Sequence, residues 1–322
     1  MIYQKDLSSR YIDAISKQIE NLPARPSSIY IGGGTPTTLD NDSLERLLKC
    51  LEKYAGAGVE FTVEANPESL TGDKIKLFLD HGVNRLSIGC QSFNDKKLEV
   101  LGRVHDSVQA KASVMLAAKK GFKNISADLI YGVWNESMEE WKHDVDEAAR
   151  LPVTHISCYG LTYEKGTPLF GALRNKTVQP IDDGIASAMY EYAIDRLAVR
   201  GFVQYEISNF AKDGYMCKHN MNYWYNNPYI GIGASAVSYI DGARKQNISD
   251  VEEYIRKADD GDEAIASSEK LDPVGRAKET AAVKIRTKEG IDFAWFKAHT
   301  GYDFQALEKN ALRELLEKDL IK

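Results

Sequence analysis

Strand-like and helix-like segments alternate along the first half of this 322-residue chain. Short apolar runs have the length of buried strands, and amphipathic stretches with helical spacing separate them. The predicted strands are Ser28–Ile31, Val59–Ala65, Arg85–Cys90, Asn124–Ile130 and Thr154–Tyr159. The predicted helices are residues 9–21, Ser43–Tyr54, Thr71–His81, Ser107–Lys120 and Ser137–Arg150. This alternation indicates an α/β fold with a parallel sheet and right-handed crossovers, and the unit length fits a β/α barrel or part of one.

After Gly160 the alternation stops. A loop containing Gly166 and Pro168 is expected before a helix at Asp183–Arg200, and a dense polar-aromatic region follows at 204–247. Residues 248–270 are charged and predict a helical connector. The segment 271–322 predicts helices with one extended piece near Val283–Arg286. We therefore expect one large domain over 1–247, a connector over 248–270, and a small C-terminal helical domain over 271–322 that is cut short.

Composition excludes several classes of function. The net charge is −6 without a basic block, which argues against nucleic acid as the main partner. No apolar run reaches the length of a membrane span, and no signal peptide opens the chain, so we expect a cytoplasmic protein. Cys50, Cys90 and Cys158 lie in helix or strand patterns without metal-binding spacing, and we expect buried free thiols there.

The first strand runs into three consecutive glycines, Gly32 to Gly34, and then Thr35 and Pro36. Glycines add no side-chain packing, so three in a row indicate a backbone that approaches another group closely or adopts positive φ. Asp42 is predicted to cap the helix that follows. The alternatives are a tight strand-to-helix turn and a loop whose bare backbone faces a small polar ligand.

Polar residues stand at the carboxyl end of every predicted strand, which is where parallel sheets bind ligands. They are Gly33, Gly34, Thr35, Glu64, Asn66, Gln91, Ser92, Asp128, Tyr131, Tyr159 and Thr162. Glu64 and Asp128 interrupt apolar runs, and a carboxylate on a buried strand needs a partner. They are either structural hydrogen-bonders, for example to Arg103, or part of a binding site. We favour the binding site, with both carboxylates buried or half-buried around one cavity.

A second candidate site is the run from Cys217 to Trp224. It places His219 among aromatic residues in a segment that we expect to be a loop, since it is too polar for the core. Imidazole is a suitable ligand for iron, so His219 is a candidate axial ligand for a flat macrocycle. The alternative is a structural or solvated histidine, and Cys217 is the weaker candidate ligand.

These residues resemble a known family. Its motifs here are Gly32-Gly33-Gly34-Thr35-Pro36-Thr37, Glu64-Ala65-Asn66-Pro67, Gly89-Cys90-Gln91-Ser92-Phe93 and Asp128-Leu129-Ile130-Tyr131-Gly132. In order and spacing they resemble the radical S-adenosylmethionine (SAM) proteins related to oxygen-independent coproporphyrinogen III oxidase. His219-Asn220 with Tyr223-Trp224 is similar to the H-N-x-x-Y-W signature of the haem chaperone branch, HemW.

The resemblance implies a partial (β/α) barrel with a small C-terminal helical domain. It implies contacts with S-adenosylmethionine and ligation of haem by His219. The residues implied for S-adenosylmethionine are Gly33, Gly34, Thr35, Glu64, Gln91, Arg103, Asp128, Tyr159 and Thr162. Haem and an unidentified haem-acceptor protein are the implied partners, with peripheral membrane contact only through that acceptor.

One departure from the family concerns its [4Fe–4S] cluster, which three cysteines of a C-x-x-x-C-x-x-C loop hold. No cysteine precedes Cys50 here. We expect the sequence to be a fragment rather than a lineage that lost the cluster, because Ser28–Ile31 lacks the charge or proline of an edge strand. As written, the chain is not expected to cleave S-adenosylmethionine reductively. A haem chaperone is the favoured function, and a coproporphyrinogen-oxidising enzyme or a cluster-free remnant is the alternative.

Overall fold

Five parallel strands lie side by side in one sheet, in the order in which they occur along the chain. The computed structural model describes residues 5–23 and 25–320. The parallel strands are β1 Ser28–Ile31, β2 Glu60–Ala65, β3 Arg85–Gln91, β4 Asn124–Tyr131 and β5 His155–Gly160. Two antiparallel strands, β6 Val203–Glu206 and β7 Asn209–Ala211, continue the sheet beyond β5 in the order β5-β7-β6. The sheet curls into a half barrel, so the predicted fold class is confirmed.

The helices of this half of the chain lie before, between and after the parallel strands. They are α1 Lys5–Glu20, α2 Asn41–Glu52, α3 Gly72–Asp80, α4 Asp95–Val100, α5 Ser107–Lys120, α6 Met138–Arg150, α7 Pro168–Arg174 and α8 Asp183–Val199, with a 3₁₀ turn at Pro36–Thr38. Ser137 and Glu140 form a capping box at the start of α6. The cap predicted for α2 is wrong by two residues. Asp40, not Asp42, accepts the hydrogen bond from the backbone N–H of Ser43.

The two faces of the sheet differ in chemistry. Along β4, Ile125, Ala127 and Leu129 are fully buried, and they alternate with Ser126 and Asp128 on the opposite face. Successive strand residues point to opposite faces. The apolar face therefore supplies the core beneath the helices, while the polar face lines the inside of the half barrel.

The chain divides between His219 and Asn220 into two compact units. Helix α9, Lys218–Trp224, spans this boundary. The second unit holds an antiparallel sheet of β8 Val237–Ile240, β9 Ala243–Asn247 and β10 Ile265–Lys270. Its other helices are α10 Val251–Asp260, α11 Pro273–Lys284, α12 Phe293–Thr300, α13 Phe304–Leu307 and α14 Lys309–Glu317. No helix among the described residues is long and apolar enough to cross a membrane.

Several expectations for the second half of the chain are wrong. The loop expected around Pro168 is helix α7, because Pro168 sits in the first turn, where its missing N–H costs nothing, and Thr167 caps the helix. Part of the helical connector is strand β10, which is polar on both faces and gives no alternation signal. The extended piece near Val283–Arg286 is instead the end of α11 and a turn. The three-part domain division stays a prediction, and residues 321–322 lie outside the described range.

Candidate functional site

A cavity of about 480 Å³ opens at the carboxyl ends of the parallel strands. Eight of the predicted cofactor-binding residues line it: Gly34, Thr35, Glu64, Gln91, Arg103, Asp128, Tyr159 and Thr162. Gly33 adjoins the lining but does not belong to it. Glu64 and Asp128 are half-buried in one cavity with Gln91 and Arg103, as predicted. The predicted residues at the strand ends therefore share one cavity.

Glu64 is held by the glycine run and by β1. The Tyr30 hydroxyl donates a hydrogen bond of 2.7 Å to Glu64 Oε1, and the Gly33 backbone also hydrogen-bonds this carboxylate. Burial raises the pKa of Glu64, and the hydrogen bond from Tyr30 opposes that rise. A Cβ on Gly32 would lie 2.8 Å from both Glu64 Cδ and Tyr30 Cε1, so this position requires glycine. Gly33 has φ +77°, so close approach and positive φ both occur in the run.

Asp128 is held by three serine hydroxyls on three neighbouring strands. Ser126 and Ser157 each donate to Oδ1 at 2.7 Å, and Ser87 donates to Oδ2 at 2.8 Å. Ser126 Oγ also lies 2.8 Å from His155 Nδ1 in the fully buried interior. Serine hydroxyls, and not Arg103, therefore hold the Asp128 carboxylate at the wall of the cavity.

Gln91 ends β3 in an unusual backbone conformation. Its φ is +64°, and the Ser92 N–H donates to the Cys90 carbonyl at 2.7 Å, which closes a γ-turn around Gln91. The β3–β4 register shifts at this point. A Cβ on Gly89 would lie 2.6 Å from Gln91 Nε2, so the glycine leaves room for the glutamine amide.

Arg103 supplies the cation of the cavity. Its Nε is buried and has no hydrogen-bond partner among the residues that the structure describes. Burial lowers the pKa of Arg103, and the nearby Glu68 carboxylate opposes that effect. Arg103 lines the cavity, so its guanidinium brings positive charge to a wall that also carries Glu64 and Asp128.

His219 lies in the first unit, beside β1. Its ring stacks on Tyr30 at 4.7 Å between centroids, and Nδ1 lies 3.1 Å from Ser28 Oγ. Its backbone N–H donates to Glu60 Oε1 at 3.0 Å, and that of Lys218 donates to Glu60 Oε2 at 3.1 Å. Burial lowers the pKa of His219 to about 4. The imidazole is therefore neutral at pH 7, and the Ser28 hydroxyl contacts its Nδ1.

The segment around His219 is not the expected loop. Residues Lys218–Trp224 form helix α9, whose first turn is capped by the Glu60 carboxylate. Cys217 is fully buried, with Sγ 3.4 Å from Glu60 Oε1. The Cys217 thiol is therefore packed in the core. This burial agrees with its ranking as the weaker of the two candidate ligands.

The aromatic residues of the motif pack within the second unit. Tyr223 meets the Tyr229 ring edge-on at 4.6 Å. Tyr225 packs edge-on against Trp295 at 5.5 Å, and the Lys284 ammonium lies 4.0 Å from the centre of the Tyr225 ring. These rings are therefore engaged with the strands and helices of their own unit.

Comparison with known proteins assigns the family. The model of the radical SAM superfamily matches residues 2–148. The haem chaperone HemW of Lactococcus lactis subsp. lactis (strain IL1403) is 36% identical over 314 residues, covering 97% of this chain and 82% of the relative. The haem chaperone HemW of Bacillus subtilis (strain 168) is 33% identical over 319 residues, covering 97% of this chain and 84% of the relative.

The chain belongs to the HemW family of radical SAM proteins. The fold agrees with this membership. A solved structure of coproporphyrinogen III oxidase (HemN) from Escherichia coli, a radical SAM enzyme, superposes with a TM-score of 0.83. It is 22% identical and covers 98% of this chain and 77% of that one, so the likeness concerns the fold.

Membership of the radical SAM family implies S-adenosylmethionine and a [4Fe–4S] cluster. No group of three or more histidine, cysteine, aspartate or glutamate side chains among the described residues is placed to hold a metal ion. Cys90 and Cys158 are buried in separate strands, and burial raises the pKa of both thiols. These cysteines do not fit the cluster, so we derive no radical step through them.

Sequence reasoning missed several residues of the cavity. Tyr30, Ser87, Gly89 and Ile130 line it in addition to the predicted set. The signal that would have found β3 residues such as Ser87 and Gly89 is the alternation of polar or small residues with apolar residues along the strand. Arg85, Ser87, Gly89 and Gln91 alternate with apolar residues along β3 and lie on the face that points into the half barrel.

Proposed function

We propose that this protein is a haem-binding chaperone that passes haem to an acceptor protein, and that it binds S-adenosylmethionine in the cavity of its half barrel. The observation that carries the proposal is the similarity to proteins named haem chaperones over 97% of the chain. The likeness to coproporphyrinogen III oxidase rests on fold alone, so no oxidation of a porphyrinogen is proposed.

The charges of the cavity support S-adenosylmethionine as its ligand. Glu64 and Asp128 provide two carboxylates and Arg103 provides one cation. S-adenosylmethionine carries the opposite set, an ammonium and a sulfonium with one carboxylate. The Arg103 guanidinium, which lines the cavity, is the cation suited to that carboxylate. When bound, the group supplies a sulfonium centre, and the residues of this chain bind and orient it.

The state of His219 supports its role as a haem-iron ligand. Iron binds the neutral imidazole, and burial keeps His219 neutral at pH 7. The Ser28 hydroxyl at Nδ1 fixes the orientation of the ring, as a second-shell group does for metal-binding histidines. The acceptor protein is unidentified, and a cytoplasmic location with membrane contact only through that acceptor stays a prediction.

Hemin titration tests the haem assignment. The full chain is titrated with hemin, and the Soret band and affinity are compared among wild type, His219→Ala and His143→Ala, which changes an exposed histidine on α6. We expect His219→Ala to shift the Soret band and weaken binding at least tenfold, while His143→Ala matches wild type. Wild-type spectrum and affinity in His219→Ala would remove His219 as the ligand. A wild-type chain without a Soret band would remove the chaperone proposal.

A further inference from the structure

The γ-turn at Gln91 is a strained element in the cavity wall. A residue with a side chain rarely adopts a φ of +64° in a γ-turn, and the conformation persists only where surrounding contacts enforce it. Gln91 also lines the cavity. The contacts that enforce its conformation therefore also determine where its side-chain amide points.

Asp144, on helix α6, accepts hydrogen bonds from the two residues that follow Gln91. Its Oδ2 accepts a hydrogen bond of 2.7 Å from Ser92 Oγ, and its Oδ1 accepts one of 2.7 Å from the Phe93 backbone N–H. Asp144 is fully buried and does not line the cavity. Both carboxylate oxygens thus hold the chain immediately after the strained residue.

A second contact holds the other side of the turn. His105 Nε2 lies 3.1 Å from the carbonyl oxygen of Cys90, the same oxygen that accepts from Ser92 N–H. His105 is buried, and its Nδ1 lies 3.0 Å from Glu68 Oε2. The backbone on each side of Gln91 is therefore fixed by a buried polar group.

Asp144 is itself held by a buried cation. Lys97 Nζ lies 3.0 Å from Asp144 Oδ2 and also pairs with Glu136, and all three side chains are buried. Buried charges are costly unless they are paired and hydrogen-bonded. A plain strand-to-helix connection does not need such a network, whereas a turn that must stay strained does.

We propose that Asp144 is a positioning residue for the ligand of the cavity. It acts through Ser92 and Phe93 to keep Gln91 in the left-handed conformation that directs its amide into the cavity. The identity of the ligand, S-adenosylmethionine, rests on the proposed function. The inference that Asp144 holds the backbone conformation of Gln91 does not depend on that function.

A double-mutant cycle on stability tests the link without ligand. Gln91→Gly removes the strain and should raise the midpoint of thermal unfolding by about 2–4 °C in the wild-type background. In the Asp144→Asn background the turn has already relaxed, so Gln91→Gly should raise the midpoint by less than 1 °C. An equal gain in both backgrounds would overturn the proposal, because Asp144 would then not hold the turn.

Binding of S-adenosylmethionine by calorimetry tests the consequence for the ligand. Asp144→Asn should raise the Kd at least tenfold, and Asp146→Asn, a control that removes a carboxylate from the same helix, should stay within twofold of wild type. Because Asp144 acts through Gln91, adding Asp144→Asn to Gln91→Gly should change the Kd less than twofold. A full tenfold loss in that background would contradict the proposal.

A milder variant, Ser92→Ala, tests the same proposal if Asp144→Asn does not fold. Ser92→Ala removes one of the two hydrogen bonds while Asp144 keeps Lys97 and the Phe93 N–H. It should raise the Kd at least threefold, and a folded Ser92→Ala protein with wild-type Kd would count against the proposal. If wild type binds no S-adenosylmethionine, the ligand of the proposed function is wrong. The stability cycle then still decides whether Asp144 holds Gln91.

Discussion

At the scale of single residues, His219 combines burial with a fixed ring orientation. Burial lowers its pKa from 6.5 to about 4 in the folded protein. The folded state therefore disfavours the protonated ring, while the unfolded chain protonates it near pH 6.5. The resulting stability is fully present above pH 6.5 and is lost as the pH falls toward 4.

We expect His219→Gln to flatten this pH dependence. The contribution of His219 to the free energy of unfolding is at most about 3 kcal/mol between pH 7 and pH 4. Urea unfolding at a series of pH values would measure it. His143→Gln, at an exposed position, should keep the wild-type profile. If His219→Gln and wild type lose stability in parallel from pH 7 to 4, the imidazole is not buried as the structure places it.

Gly32, which packs against the side chains of Tyr30 and Glu64, allows a second test of the cavity at the scale of single residues. In Gly32→Ala the new methyl group would fall 2.8 Å from Glu64 Cδ and from Tyr30 Cε1, so this hydrogen-bonded pair must move. We expect the affinity for S-adenosylmethionine to fall at least tenfold. Gly171→Ala, on α7 and outside the cavity lining, is the matched control, since a Cβ on Gly171 meets no atom within 4 Å. Equal affinities of the two variants would show that Glu64 does not contact the ligand.

The sequence predicted the polar strand ends because their position follows from parallel-sheet geometry alone. Glu64, Gln91 and Asp128 could be placed in one cavity from the strand pattern. The left-handed backbone of Gln91 could not be foreseen, because glutamine has no preference for that region and its turn is enforced by Asp144, far along the chain. The residues next to Gln91 in sequence do not indicate that a distant residue fixes its backbone conformation.

At the scale of secondary-structure elements, helix α9 depends on a strand residue far away in sequence. The Glu60 carboxylate accepts hydrogen bonds from the Lys218 and His219 N–H groups at the start of α9. A carboxylate at this position satisfies two orphan donors and complements the helix dipole. It explains why a segment with a polar sequence is a helix and not the expected loop.

Glu60→Gln should loosen the start of α9. A charge-assisted hydrogen bond contributes about 1.5–3 kcal/mol, so the amide hydrogens of Lys218 and His219 should exchange roughly 10- to 100-fold faster. Hydrogen exchange measured by NMR would show this. Glu45→Gln, which removes an exposed carboxylate paired with Lys49 on α2, should leave those amides unchanged. Unaltered exchange in Glu60→Gln would mean that the cap does not stabilise the helix.

The strands β1 to β5 were predicted to within one residue at each end, because each is an apolar run bounded by turn residues. The elements after residue 160 were predicted less well. Strand β10 and helix α7 have weak periodicity, so their conformation is decided by neighbours in the fold. Prediction therefore succeeded where a period repeats and failed where tertiary contacts determine the element.

At the scale of the whole molecule, the cavity belongs to one of two compact units. All its lining residues lie between Tyr30 and Thr162, in the unit that ends at His219. A ligand that binds only the folded form of that unit stabilises it by mass action, by about 2.7 kcal/mol at a concentration 100 times its Kd. The second unit has its own small core, built on Ala277, Phe296 and Phe304.

S-adenosylmethionine should therefore protect the two units unequally. At 100 times its Kd, the slowest-exchanging amides of β2, β3 and β4 should exchange about 100-fold more slowly, because their exchange requires unfolding of the ligand-binding unit. Amides of α11 and α12 should keep their rates, since the core around Phe296 can open without releasing the ligand. Hydrogen exchange with mass spectrometry would resolve the two sets of peptides. Equal slowing in both would mean that the units unfold together, and slowing in neither would remove S-adenosylmethionine as the ligand of the cavity.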